Sequence, residues 1–281
     1  MLLKNGPMLK KILNFTKIEH TAFSLPLIFT GAWMGSAHRW PEISVLLLII
    51  LAAVGARVFG MSFNRIFDRH IDALNPRTAG RELPSGAMDL LTAMTVAMAG
   101  LSLYLGACIA LGRWCVILSP LPLIPLLTYS LLKRFTPLCH FGIGLCLAQA
   151  PLGAFVAAAG HPRFTAEVLL FSGFVFFWLS GADIIYAIMD IDSDRHTGIC
   201  SIPARLGAKG AQCVSALSHV LALVCMLLLM GAGTGAAAIA TFCVTVFLFL
   251  MMYMPFVPVP KRFFPISTCA GIAGAVTALL T

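Results

Sequence analysis

Charge is what this chain has least of. Only 11% of its 281 residues are Asp, Glu, Lys or Arg, while 59% are apolar; a soluble domain carries roughly 25% charge. That shortage excludes an ordinary water-soluble globule and makes the bilayer the solvent. Acid is scarcer still, at 11 residues against 19 Lys and Arg. The nine cysteines include no C-x-x-C pair and are scattered mostly through apolar runs, so they read as small core residues and not as a metal or redox framework.

Long apolar runs take the place of charge. A run of about 20 residues crosses the hydrocarbon core as a helix, and nine runs are read here: 20–37, 43–63, 90–111, 115–132, 140–159, 168–189, 214–230, 236–253 and 266–280, the first and last being the shortest. The amino-terminal segment 1–19 is basic and amphipathic. It reads as an interfacial helix, not a cleavable signal, with Lys4, Lys10, Lys11 and Lys17 among headgroups and Leu9, Ile12, Leu13 and Phe15 at the acyl boundary. The expected fold is an all-α membrane protein: one domain over 1–281, a nine-transmembrane-helix bundle with a cytoplasmic-side cap of loops and short helices.

Cytoplasmic loops retain Lys and Arg, and that asymmetry orients the bundle. With the amino terminus inside, the inner loops hold Arg65, Arg69, Arg77, Arg81, Lys133, Arg134, Arg195, Arg205, Lys209, Lys261 and Arg262, against Arg39, Arg113 and Arg163 outside. Nine spans then put the carboxyl terminus outside. Topology accounts for the positive charge, and no nucleic acid is implied.

Most of the acids fall in two inner segments, one with Asp68, Asp72, Glu82 and Asp89 and the other with Asp183, Asp190, Asp192 and Asp194. Asn64, Asp68 and Asp72 are four apart and stack on one helix face. Like charges so spaced cost an isolated helix about 0.2–0.5 kcal/mol per pair, so a cation is a reason to keep them. Asp183, Tyr186, Asp190 and Asp194 form a second ladder, expected along one face of the sixth span. Two oxygen-rich faces at the inner ends of two spans suit magnesium, a hard ion that shares its coordination between carboxylates and substrate phosphates. The plainer alternative is solvated loop charge balancing Arg65, Arg69, Arg77 and Arg195. Asp183 lies about two turns inside its span, where carboxylates are functional by default; Arg57 is its counterpart in the second span, and a structural ion pair between them is the bland reading.

N-x-x-x-D-x-x-x-D, as Asn64, Asp68 and Asp72 followed by NPRTAGRELPSG, resembles the first signature of the UbiA superfamily of intramembrane aromatic prenyltransferases. YAIMDIDSDRHTG resembles the second, and EHTAFSLP and YSLLKRFT extend the likeness over nearly the whole chain. One departure is that Arg65 stands where many members have a further Asp, which removes a possible metal ligand. The resemblance implies that Asp68, Asp72, Asp190 and Asp194 hold Mg2+ on a polyprenyl diphosphate. Arg77, Arg81 and Lys133 would clamp the phosphates, with Tyr186 contacting phosphate or shielding an allylic cation. Arg57 and Arg134 would meet the carboxylate of an aromatic hydroxy acid, and Asn64 and Asp183 would orient its hydroxyl or steer ring activation.

The implied acceptor is 4-hydroxybenzoate, on the route to a quinone, with a dihydroxynaphthoate of the futalosine menaquinone route as the alternative; no residue separates them. The isoprenoid tail would lie in a groove open to membrane lipid, which the run FSGFVFFW could line, although such a run is more often plain packing. A transporter is the rival from another class, since Arg57 and Asp183 could line a path, but most acids gather at one membrane face. A CDP-alcohol-type phosphotransferase would need a D-G-x-x-A-R core, which is missing.

Overall fold

The structure, a computed structural model, describes residues 7–17 and 21–281, the side chains of 21–23 excepted. Lys4 and Glu19 of the interfacial segment, and His20 at the expected start of the first span, lie outside the described residues. The described residues are helical, without strands.

A short helix α1 (Met8–Thr16) comes first. Its Leu9 and Leu13 are exposed, as a helix at the interface requires, but Phe15 is fully buried against Ile66, Met88 and Ala93. Phe15 therefore docks the segment onto the bundle and does not dip into lipid. The chain then runs through α2 (Thr21–Gly35), α3 (Ile43–Leu74), α4 (Leu90–Leu111), α5 (Arg113–Leu118), α6 (Pro120–Leu132), α7 (Cys139–Ala159) and α8 (Ala166–Tyr186). After it come α9 (Ile191–Thr197), α10 (Ile202–Leu229), α11 (Ala236–Met251), α12 (Val259–Lys261) and α13 (Thr268–Leu280).

Among the described residues seven continuous helical segments are long and apolar enough to cross a bilayer, three of them made of joined helices: Arg113–Leu132, Ala166–Thr197 and Val259–Leu280. The short runs are α2, of 15 residues, and α11, of 16. The last run is not short. Helix continues through Val259 and a π-helical stretch, Arg262–Ser267, into α13, giving 22 residues; Pro258, Pro260 and Pro265 make this stretch look like loop in sequence. By length, seven spans are supported among the described residues, and α2 and α11 fall short of a full crossing.

Helix α3 has 32 residues, about 48 Å at 1.5 Å per residue, against a hydrocarbon core of about 30 Å. It outruns the bilayer, so its last turns, with Asn64, Asp68 and Asp72, leave the apolar span without leaving the helix. The next helix starts cleanly: Asp89 accepts the Thr92 N–H at 2.7 Å as N-cap of α4, which holds the Asp89 carboxyl below the usual range.

Outward faces are apolar, with Leu47, Leu91, Ile109, Ile124, Leu228 and Phe247 all exposed. Lipid removes the hydrophobic drive between helices, so contact depends on small residues and close packing. A Cβ on Gly31 would collide with the Pro151 backbone of α7, and one on Gly55 would sit 2.5 Å from the Tyr104 nitrogen of α4. Helix α8 is the enclosed centre, packed on α7 and α10. Phe171, Phe174 and Trp178 stack along it and are buried with Met226 and Phe249. Phe171, Phe174 and Trp178 of the aromatic run are core packing. Trp178 Nε1–H donates to Ser267 O and Oγ at 3.1 and 3.0 Å, tying α8 to the π-helical stretch.

Candidate functional site

Both aspartate segments meet at one end of the bundle. On α3, Asn64 Nδ2 donates to Asp68 Oδ2 at 3.1 Å, and Lys133 Nζ, just past α6, reaches the same oxygen at 2.7 Å. Four residues on, both Asp72 oxygens lie 2.7 Å from Arg81 Nη1. Thr78 Oγ1 donates to Asp72 O at 3.0 Å, folding residues 75–89 back over the helix end as a cap of turns.

The second segment departs from the expected ladder. Helix α8 stops at Tyr186, Ala187–Asp190 is a 3-10 turn, and α9 follows. Asp190 has φ −106° and ψ 5°, in the sparsely allowed bridge region. The four side chains thus do not share one α-helical face. The break turns Asp190 toward the cap: Arg77 Nε and Nη2 grip its two oxygens at 2.9 and 2.6 Å, and Asn75 Nδ2 adds a bond at 2.8 Å. Arg77 Nη1 also donates to Tyr186 Oη at 3.0 Å, with the guanidinium 5.0 Å from the ring centre. Burial works against the Arg77 charge, yet Asp190 outweighs it and holds the Arg77 pKa above the usual arginine value. Asp194 Oδ2 accepts from Ser201 Oγ at 2.6 Å.

Asp183 does not pair with Arg57. Its Oδ2 lies 2.7 Å from His140 Nδ1, and His140 is 3% exposed. Tyr186 continues the wall, its ring 4.5 Å from that of Phe263 in the π-helical stretch.

A cavity of about 930 Å3 joins these groups. Arg57, Asn64, Asp68, Asp72, Arg77, Arg81, Lys133, Asp183, Tyr186, Asp190 and Asp194 all line it. Away from the aspartates its wall turns apolar, with Ile49, Leu111, Leu118, Leu126, Val156 and Phe164. Arg134 is the exception. Its Nη2 donates to Phe67 O at 2.7 Å, and it lines a separate depression with Arg69 and His70. Both residues lie in the turn just past α6, where Lys133 faces the cavity and its neighbour faces away from it. Lys17, expected among headgroups, also lines the main cavity. Asn75, His140 and Ser201 escape sequence reasoning; a polar residue is conspicuous only where its partner is near in the chain, and Asn75 meets Asp190 across 115 positions.

The UbiA prenyltransferase family model matches residues 24–277. The chain belongs to that family. It is therefore an alkyl-transferring enzyme, a prenyltransferase, and with its apolar spans an integral membrane protein. It is similar to the 4-hydroxybenzoate octaprenyltransferase of Shewanella sp. (strain W3-18-1), 29% identical over 197 residues, 70% of this chain and 68% of that one. The protein so named in Coxiella burnetii (strain CbuK_Q154) is 31% identical over 178 residues, 63% and 61% of the two chains. Among solved structures, the apo structure of a UbiA homologue from Aeropyrum pernix K1 is 36% identical with a TM-score of 0.79, covering 93% of this chain and 96% of that one. A UbiA homologue from Archaeoglobus fulgidus, solved bound to GPP and Mg2+, shares the fold at a TM-score of 0.70 and 17% identity, over 96% and 100% of the chains.

The UbiA fold raises the question of a magnesium ion. Among the described residues no three acids, histidines or cysteines gather closely enough to hold an ion alone. The donor set nonetheless fits one that shares its ligands with a diphosphate. The carboxylates on the cavity wall are hard oxygen donors, and Asp68 Oδ1 is buried without a hydrogen-bond partner, a costly state unless something binds it.

Proposed function

We propose that this prenyltransferase moves a polyprenyl group from an isoprenoid diphosphate to an aromatic hydroxy acid, 4-hydroxybenzoate first among them, in a magnesium-dependent step of quinone biosynthesis. The observation that carries this reading is the single cavity with two walls. Aspartates from two distant segments, with Arg77, Arg81 and Lys133, line one end, and apolar side chains line the rest.

Asp68, Asp72, Asp190 and Asp194 would hold magnesium, which when bound neutralises the charge that builds on the leaving diphosphate. Arg77 and Arg81 offer planar guanidinium donors to the phosphate oxygens and Lys133 a point charge; all three now neutralise the carboxylates and are free to exchange them for phosphate. Tyr186 presents its ring face beside Arg77, where it can shield an allylic cation. Arg57, deeper on α3 and on the cavity wall, would meet the acceptor carboxylate, with Asn64 and Asp183 as hydroxyl partners. The apolar walls keep out water that would quench the cation.

The whole chain serves as one domain. With α2 and α11 taken as short spans, nine crossings put the amino terminus and the site in the cytoplasm and the carboxyl terminus outside, as the Lys and Arg distribution favours. Purified protein in detergent, given a long prenyl diphosphate and magnesium with 4-hydroxybenzoate and a dihydroxynaphthoate in separate reactions, is expected to prenylate 4-hydroxybenzoate and to stop when the metal is chelated. Prenylation of the naphthoate alone moves the acceptor to the menaquinone route. A diphosphate left intact with every acid sinks the reading.

A further inference from the structure

The carboxylates of the cavity differ in what holds them. Asp68, Asp72 and Asp190 each face a side-chain ammonium or guanidinium, and Asp194, at the cap, faces the Ser201 hydroxyl. Asp183, deeper in α8, faces an imidazole. The Ile202 backbone N–H points at His140 Nε2 from 3.4 Å. A backbone N–H can only donate, so Nε2 accepts, the ring proton sits on Nδ1, and that N–H donates to Asp183 Oδ2. The imidazole is clamped at both nitrogens, and its side chain is 4% exposed against 23% for Asp183. Among the described residues Oδ1 of Asp183 makes no hydrogen bond, and Asp183 is on the cavity wall.

We propose that His140 is a positioning residue that fixes Asp183 so that its open oxygen takes the ring proton of the aromatic acceptor. The inference rests on the prenyl transfer proposed above. In that step the allylic C–O bond breaks and the diphosphate leaves with its electron pair. A ring carbon gives a π pair to the prenyl carbon to form the new C–C bond. The C–H bond at that ring carbon then breaks, its electrons restore the aromatic ring, and the proton passes to Asp183 Oδ1. Some group must take this proton where water is excluded, and Asp183 Oδ1, on the cavity wall and outside the carboxylates proposed to hold magnesium, is placed to do so. A positioned base contributes about 10²–10⁴ in rate; losing one hydrogen bond that orients it costs less.

The test is an acceptor deuterated at the ring carbon that is prenylated. Removing the Nδ1 donor in His140→Ala is expected to lower kcat about ten- to a hundredfold and leave KM for the diphosphate unchanged. A primary isotope effect absent from the parent enzyme should appear, because proton loss becomes limiting. His140→Asn, whose amide N–H lies near the place of Nδ1, should recover most of the rate and lose the isotope effect. If His140→Ala does not fold, Asp183→Asn, which keeps the side-chain shape, must itself show the isotope effect. An unchanged kcat in His140→Ala, or a loss seen only as raised KM without an isotope effect, overturns the proposal. A parent enzyme that prenylates no aromatic acid takes the proposed function down as well, whereas a working parent with a silent His140 variant sinks this inference alone.

Discussion

Asp68 and Asp72 stand on the unbroken last turns of a 32-residue helix, with side-chain exposures of 2% and 7%, whereas Asp190 sits where α8 yields to a 3-10 turn and is 13% exposed. One segment is a fixed platform. The other has a short stretch of tighter helix of the kind that marks hinges, and among the charged groups of the described residues Arg77 alone holds it from the cap. Two carboxylate sets of the same spacing thus differ in local backbone structure, which would suit the proposed reaction if one side clasps a diphosphate and the other adjusts to it.

The sharpest way to probe this difference is to remove the cation from each side in the absence of metal and substrate. Lys133→Met leaves Asp68 buried and unpaired, and breaking such a pair costs about 3–5 kcal/mol. Arg77→Met acts where the arginine is 33% exposed and water can take over, so less than about 1 kcal/mol is expected. Thermal unfolding in detergent measures both. Equal losses would mean that the two segments are equally rigid and the contrast is one of geometry only.

Catalysis should erase the asymmetry. If the two segments hold metal on one diphosphate, Asp68→Ala and Asp190→Ala each remove charge stabilisation that matters only as the leaving group departs, about 10²–10³ in kcat by analogy with the loss of one preorganised donor. Turnover of prenyl diphosphate with saturating acceptor reads this directly. A variant with near-normal kcat would show that one segment suffices and that the other is structural.

Much of this contrast was legible in the residues and part was not. The spacing of Asn64, Asp68 and Asp72 on a polar extension of an apolar run foretells a helix that outlasts its span, and α3 is that helix. The break at Ala187–Asp190 leaves no such mark: AIMD contains neither Gly nor Pro, and the turn arises from where α8 ends against the cap. His140 looks like any lone polar residue in an apolar run, because its meaning depends on Asp183, 43 positions away. The bounds of the last span escaped for a related reason. Prolines near 258–265 predict a loop, yet Pro is tolerated where neighbouring groups satisfy the freed backbone, and here Arg262 donates from Nε to Val257 O at 2.8 Å and from Nη2 to Met254 O at 3.0 Å.

Lys133 and Arg134 compress the same lesson into adjacent residues, and they set the smallest expected effect. Both are cations just past the carboxyl-terminal end of α6, so sequence assigns both to substrate. The structure sends the lysine to Asp68 and the arginine to the Phe67 carbonyl on the outer side of α3. Arg134→Ala therefore removes one exposed side-chain contact to a backbone oxygen, within the roughly 0.5 kcal/mol typical of surface changes. Its kcat and its KM for the acceptor acid should stay within about twofold of the parent. A tenfold rise in KM for the acid would mean that Arg134 swings into the cavity when substrate binds, and that the outward position is one state of two.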